Sequence, residues 1–469
     1  MSYKKYELQR EELAGNETPS QWRVRIFKQA LMVFGIGLGF VVLGMAAAYP
    51  NAAVVDLRRD NSTVFGTSFD LESWQEDMMG SILSAGGLVG TWLGGWALRS
   101  AGRKRSLMGL ILPCTGAWGL VALAVNPGML LAGRFLSGVF SGMMSVTGNV
   151  YAVELPDTNV RGFLAMIPNV MVSVGLVASV SLGLCLRWFE IPAVAIGVFA
   201  ACCASVSFVP ESPTFLAVSG RESEARRVLR RLRGPSADVE EEMEVLRAYN
   251  QDKTGQPIYK LFLQRDVLRA LLVIQGLFLI QNFCGFSAFM INTTRIFQDA
   301  GSSLDEELSS ILVFLVQMAG NVAASLLLDR AGRRAPLVVS LSVMAVCLYV
   351  MGSYVYFAER QDPGNPLEGT WGWIPLLCLM VYMFTSSFGV GSIPFVLNAE
   401  YFPTSIRAQA ASIGLTGGSI YGILALQLFT PMQTALTTPG LYWFYGGVSI
   451  VGVLFCTAFV RETMRVAVG

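Results

Sequence analysis

Apolar residues in this chain fall into long runs separated by short polar turns. The runs lie at about 29–49, 78–98, 107–126, 129–152, 163–186 and 190–209, then at about 270–297, 308–328, 336–357, 372–398, 409–431 and 441–460. A run of roughly 20 residues, wound as a helix at about 1.5 Å per residue, crosses the ~30 Å hydrocarbon layer of a bilayer. The pattern predicts twelve membrane-crossing helices. Glycines recur inside the runs at four-residue spacing, as Gly86, Gly90 and Gly94 and as Gly138 and Gly142, which marks close helix packing.

The polar turns repeat. Ala101-Gly102-Arg103-Lys104-Arg105 returns 230 positions later within Asp329-Arg330-Ala331-Gly332-Arg333-Arg334. Glu154 and Arg161, seven apart, return 246 positions later as Glu400 and Arg407, and Pro210-Glu211-Ser212-Pro213 returns weakly as Arg461-Glu462-Thr463. The chain therefore reads as two related halves. The expected division is a tail at 1–28, a six-helix half at 29–209, linker helices at 210–269, a second six-helix half at 270–460 and a tail at 461–469.

Lys and Arg orient these spans. Of the 34, 28 fall in the tails, the linker and the turns on one side, against Arg58, Arg59, Arg187, Arg295 and Arg360 on the other and Arg134 inside a span. The positive-inside bias puts both termini in the cytoplasm. No short apolar core with a small-residue cleavage site precedes the first run, so the N-terminal residues read as a tail and not as a signal peptide.

Composition agrees with this architecture. With 53% hydrophobic and 14% charged residues and a mean hydropathy of +0.52, the chain has too few charges to cover a globule of 469 residues. A net charge of +1 gives no electrostatic case for a nucleic-acid partner. The chain has no His, which removes the commonest general base and zinc ligand, and no span offers paired acids or a nucleophile beside a base. An enzyme is thereby disfavoured, and no metal or cofactor is expected. The eight Cys all fall in apolar runs, where a thiol behaves as a small hydrophobe.

Three stretches carry weaker signals. Gly35, Gly37 and Gly39 follow no strand, so they read as helix packing and not as a dinucleotide loop. Asn61-Ser62-Thr63, in the polar stretch 50–77, is a glycosylation acceptor on the outer side. The Arg-rich run from Arg221 to Arg233 precedes Asp238, Glu240, Glu241, Glu242 and Glu244, which reads as mutually paired surface helices.

Gly133-Arg134-Phe135, Glu154 with Arg161-Gly162, Pro210 to Pro213, Asp329 to Arg334 and Glu400 to Arg407 resemble the signature set of the sugar porters of the major facilitator superfamily. Within that family Phe297-Gln298-Asp299-Ala300-Gly301 is most similar to the insect facilitated trehalose transporters. The resemblance covers essentially the whole chain. It implies an all-α fold of two pseudo-symmetric six-helix halves with a cytoplasmic helical insert, resident in the cell membrane, monomeric in its lipid bilayer, and moving a small-molecule sugar or polyol.

The resemblance also implies site residues. Asn169, Gln281, Asn282 and Gln317 match the family's polar sugar contacts, with Ser287 and Phe395 at further contact positions. Interhelical hydrogen bonding is the alternative reading of each polar group. Arg103, Glu154, Arg161, Glu211, Asp329, Arg330, Arg333, Arg334, Glu400 and Arg407 match a cytoplasmic gate. Departures from the family pattern are Ser287 and Asn292 for Asn and Tyr, Phe395 for Trp, and Gly418-Ser419 for an Asn-Trp pair. Arg99 stands where the first basic turn has an acid, so the second half is expected to carry more of the gate. The expectation is a facilitative uniporter for a sugar such as trehalose or glucose, since the first run has no Asp or Glu to couple protons. The alternatives are a transporter-like membrane sensor and a carrier for a polyol or other non-sugar solute.

Overall fold

The computed structural model describes residues 19–157, 160, 164, 166–234, 239–240, 242–244, 264–291, 293, 306–358, 360, 371, 373–402 and 407–462, and at 19–21, 306–307, 325–331, 399 and 407–409 the backbone alone. The first half comprises α1 (Pro19–Arg59), α2 (Ser73–Ser100), α3 (Arg103–Gly109), α4 (Ile111–Ala122), α5 (Pro127–Glu154), α6 (Ile167–Gly183) and α7 (Ile191–Ser207). Two linker helices follow, α8 (Pro213–Val218) and α9 (Glu222–Arg233). The second half comprises α10 (Arg265–Phe283), α11 (Glu306–Ala331), α12 (Arg334–Ala358), α13 (Ile374–Phe388), α14 (Ile393–Glu400), α15 (Arg407–Gln427) and α16 (Phe429–Phe459). With α3–α4 and α13–α14 each counted as one broken span, six spans lie on either side of the linker. Among the described residues eight segments are long and apolar enough to cross a membrane unaided, and shorter apolar helices at Ile167–Gly183, Ile191–Ser207 and Leu308–Ala324 add three more.

Two boundaries differ from the sequence expectation. The first helix continues past residue 49 to Arg59, because Asp56 in its last turn accepts hydrogen bonds from Arg187 Nε (3.0 Å) and the Trp188 backbone N–H (2.8 Å). The same Arg187 reaches Asp60 at 2.8 Å, so the α6–α7 turn clasps the end of α1. The last span is preceded by a helical segment from Phe429, interrupted at Thr437 (φ 67°) before Pro439.

Glycines set the closest helix contact. A Cβ on Gly138 of α5 would fall 2.1 Å from the Leu83 carbonyl oxygen of α2, and one on Gly90 would fall 2.1 Å from the Val139 oxygen. The two backbones touch, a gain of dispersion that lipid cannot match.

Several spans break, and side chains repair the breaks. Pro50 inside α1 has no N–H, which frees the Ala46 carbonyl four residues before it. Arg134 of α5, fully buried, donates to that oxygen from Nη1 at 2.8 Å and to the Met79 carbonyl of α2 from Nη2 at 3.1 Å. Its guanidinium also lies 5.4 Å from the Tyr49 ring centroid. Three helices are thus tied at one buried cation. In the second half Pro394 likewise frees the Val390 carbonyl, and Gln281 Nε2 of α10 donates to it at 2.8 Å. The return contact comes from α13, whose Tyr382 hydroxyl donates to the Cys284 carbonyl at 3.0 Å where α10 ends before Gly285 (φ 97°).

Each half has its own apolar core, one running from Ile36 to Val209 with Leu232 of α9 added and one from Val267 to Val460. The linker helices pair as the charge pattern predicts, with Arg221 on Glu224 at 2.5 Å, Arg226 on Glu240 and Arg233 on Glu242 at 2.9 Å. Gln29 of α1 donates to the Leu232 carbonyl at 2.8 Å and Arg233 to the Leu155 carbonyl at 2.9 Å, anchoring the linker to the first half.

Replacing Arg134 by Met is expected to lower stability by about 1 to 3 kcal/mol, the cost of a buried carbonyl left without a donor. Pro50→Ala restores an N–H four residues after Ala46, so the double variant should lose less than the sum of the two single changes. Thermal unfolding of the four proteins in detergent checks this; strict additivity would show that Arg134 does not serve the Pro50 break.

Candidate functional site

The two halves meet at one end only among the described residues. At the end away from the basic turns, Asn51 Nδ2 donates to the Met290 carbonyl (3.2 Å) and Ser81 Oγ to Gln427 Oε1 (3.0 Å). Ala48, Leu176, Val180 and Phe314 form a small apolar core across the same seam. Deeper in, Asn321 Nδ2 of α11 donates to Ser173 Oγ of α6 at 2.9 Å. One turn further toward the basic end Asn169 is exposed, although it sits on the same helix as the fully buried Ser173. The halves therefore part just past Ser173, and Asn169 stands at the vertex of the cleft between them.

The predicted solute contacts divide into engaged and unengaged groups. Asn282 is fully used: its Nδ2 donates to the Phe278 carbonyl (2.8 Å) and the Gly418 carbonyl (3.4 Å), and its Oδ1 accepts from Ser287 Oγ (2.7 Å). Gln281, 5% exposed, spends its amide nitrogen on Val390 and on Gly391 (3.3 Å). Gln317 is 3% exposed, and its Oε1 has no hydrogen-bond partner among the described residues. Ser387 Oγ on the adjacent α13 is equally buried and unpartnered among them. An amide oxygen in that state costs free energy unless something donates to it. Phe395 is 49% exposed and packs its edge on Phe278, ring centroids 5.2 Å apart. Asn292 lies outside the described residues.

At the basic end the repeat holds residue for residue in the described contacts. Gly102 (φ 88°) and Gly332 (φ 79°) make the two turns in a conformation that other L-residues resist. Glu211 Oε1 then accepts from the backbone N–H groups of Arg103 (2.9 Å) and Lys104 (3.0 Å), and Glu462 from those of Arg333 (2.9 Å) and Arg334 (3.1 Å). Each carboxylate caps the helix that starts there. Arg103 grips Glu154 with two contacts (2.9 and 2.7 Å), and Ser212 Oγ donates to the same carboxylate. The matching contact in the second half is Arg333 to Glu400 at 3.2 Å. Arg161 and the side chains of Asp329, Arg330 and Arg407 lie outside the described residues. All these described pairs join residues of one half.

At the other end a cavity of about 430 Å3 is lined by Leu57, Arg58, Asp60, Asn61, Asp70 and Glu76, all from the first half. Two of its charges are paired, Arg58 with Glu76 at 2.7 Å and Asp60 with Arg187 at 2.8 Å. Asn61 is half-buried there, donating from Nδ2 to Asp70 at 2.9 Å, and the Thr63 hydroxyl meets that of Thr67 at 2.7 Å.

Comparison with known proteins places this geometry. The sequence model described as "Sugar (and other) transporter" matches residues 29–468. The chain belongs to this sugar transporter family. It is 31% identical over 448 residues to facilitated trehalose transporter Tret1 of Polypedilum vanderplanki, covering 95% of this chain and 87% of that protein. The Culex quinquefasciatus protein of the same name is 31% identical over 440 residues, 93% of this chain and 84% of the other. Against the Drosophila virilis protein the identity is again 31%, over 95% of this chain, and the chain spans only 48% of that relative's length.

Among solved structures, the proton:xylose symporter XylE bound to 6-bromo-6-deoxy-D-glucose superposes with a TM-score of 0.73 at 20% identity, covering 92% of this chain and 96% of the other. XylE from E. coli in its inward open conformation gives 0.74 at 18% identity, covering 93% and 97%. These likenesses show the major facilitator fold.

Sequence reasoning about this sugar transporter family member named Gln281 and Gln317 alike, but missed Ser173 and Asn321. Asn321 follows Gln317 by one helical turn, so a polar stripe on an otherwise apolar helix was the available signal. The structure separates the two glutamines' surroundings. Gln281→Leu should lower the melting temperature in detergent, because it leaves the Val390 carbonyl unpaired. Gln317→Leu should leave melting unchanged or raised and weaken solute binding roughly tenfold to hundredfold, the worth of about 1 to 3 kcal/mol. The reverse pattern would exchange the two assignments.

Proposed function

We propose that this chain is a facilitative carrier that moves a small neutral solute, a sugar such as trehalose or glucose, across the cell membrane by alternating access. The observation that carries the reading is the cleft. Its halves are joined at one end and parted at the other, with Asn169 exposed near the parting; on this reading the buried, unpartnered Gln317 and Ser387 and the half-exposed Phe395 serve the solute from its wall. Hydroxyl-rich solutes need neutral donors and acceptors with an apolar wall, and a charged lining would select ions. The trehalose named for the relatives supports the sugar class. On this reading the basic end is cytoplasmic, the protein is drawn open to the cytoplasm, and Asn61 faces outward where a glycan can be added.

Transport without proton coupling rests on Arg134 and on the acids. Arg134 donates to the carbonyls of Ala46 and Met79, and no carboxylate meets it among the described residues. Asp56 lies at the end of α1 in the Arg187 clasp, and Glu154 and Glu400 lie in the basic-end pairs. None of them faces the middle of the cleft, where a transported proton would have to bind. The gate reading extends to Arg161, Asp329, Arg330 and Arg407 by their place in the repeat.

Purified protein in liposomes is expected to equilibrate labelled trehalose or glucose to equal concentration inside and out. A pH gradient should change neither the end point nor its direction. Accumulation driven by the gradient would contradict uniport. Saturable binding without uptake would favour the sensor reading, and uptake confined to polyols would correct the solute class.

A further inference from the structure

We propose that the basic end of the first half binds an anionic phospholipid of the surrounding bilayer, with Arg99 and Arg105 holding the headgroup and the exposed face of α2 holding an acyl chain. Three faces of α2 can be told apart. Gly86, Gly90 and Gly94 meet α5, and Gly80 and Ser81 meet Ile291, Leu426 and Gln427 of the second half. The exposed residues Val89, Trp92 (61%), Leu93 and Trp96 (67%) recur at three- and four-residue spacing. At about 100° per residue they form a stripe centred roughly a third of a turn from each of the other two, with Trp92 at its edge toward Ser81, Leu93 at its edge toward Gly86, and Val89 and Trp96 turned away from both. An apolar stripe so centred faces lipid. Two tryptophans in its last two turns mark the depth of the headgroups.

The stripe runs directly into unneutralised charge. Arg99 follows Trp96 by three residues, is exposed, and has as its described partner only the Gly95 carbonyl of its own helix (3.2 Å). Arg105, in the next turn, is also exposed. The nearby carboxylates are occupied: Glu154 takes Arg103 and Ser212, and Glu211 takes the N–H groups that open α3. Among the described residues no acid pairs with Arg99 or Arg105. Lys104 donates to the Ser207 carbonyl at the end of α7 (2.6 Å), which brings Phe208, 82% exposed, to the rim of the same patch. Cations flanked by interfacial aromatics at the mouth of a lipid-facing stripe fit a phosphate headgroup with its chain below, and an anionic headgroup over a zwitterionic one.

The test is lipid selectivity measured by electron spin resonance on the full-length protein in phosphatidylcholine bilayers, with trace spin-labelled phosphatidylserine or phosphatidylcholine. The wild type is expected to prefer phosphatidylserine about thirtyfold, the scale of two basic residues at a membrane surface. Arg99→Gln with Arg105→Gln should bring that to about twofold or less. Arg230→Gln with Arg231→Gln, which removes the same charge from exposed positions of α9, should leave it unchanged. No preference in the wild type, a preference that survives the first pair, or an equal loss in both pairs would overturn the proposal. The measurement reads lipid and not solute, so it stands whether or not the chain transports sugar.

Discussion

A carrier must break its helices where solute passes, yet a bilayer offers no water to the backbone groups that breaking sets free. This chain meets that constraint with side chains aimed at individual carbonyls. Pro50 frees the Ala46 oxygen and Arg134 takes it; Pro394 frees the Val390 oxygen and Gln281 takes it. The rest of the structure depends on these two repairs. The first ties α1, α2 and α5 into one block, and the second, with Tyr382 on the Cys284 carbonyl, ties α10 to α13 and α14. Each half is thereby tied together across its broken helices by its own side chains.

Between the blocks the described contacts are graded. At the far end the described residues show hydrogen bonds from Asn51 and Ser81 and a small apolar core; Ser173 and Asn321 follow, and beyond them Asn169 is exposed. A seam of this kind can open at modest cost, since a single neutral hydrogen bond contributes only about 0.5 to 1.5 kcal/mol net. The gate pairs behave in the same way. Glu211 and Glu462 hold helix starts within their own halves, so the basic end is organised before it closes.

Much of this was legible in the sequence. Twelve apolar runs, the repeated turns and the Lys and Arg bias give the spans and the two-fold plan, because in a membrane hydropathy and charge report directly on depth. The end of α1 was not legible, since it depends on Asp56 meeting Arg187 across 131 positions. The surroundings of Gln281 and Gln317 were not legible for a similar reason. Each residue type marks a costly polar group in a span, but whether its partner is a solute or a protein carbonyl is a matter of tertiary contact: Gln281 meets the carbonyl freed by Pro394, and the Gln317 oxygen finds no protein donor among the described residues.

The central claim is that the far-end seam is a gate that must part for solute to cross. Cysteines placed at Ser81 and Gln427, whose side chains now touch at 3.0 Å, can be joined by a short bifunctional thiol reagent in the full-length protein reconstituted in liposomes. The account predicts that joining them stops sugar uptake, that cleaving the reagent restores it, and that solute binding from the basic side survives throughout. Undiminished uptake with the two positions joined would contradict it.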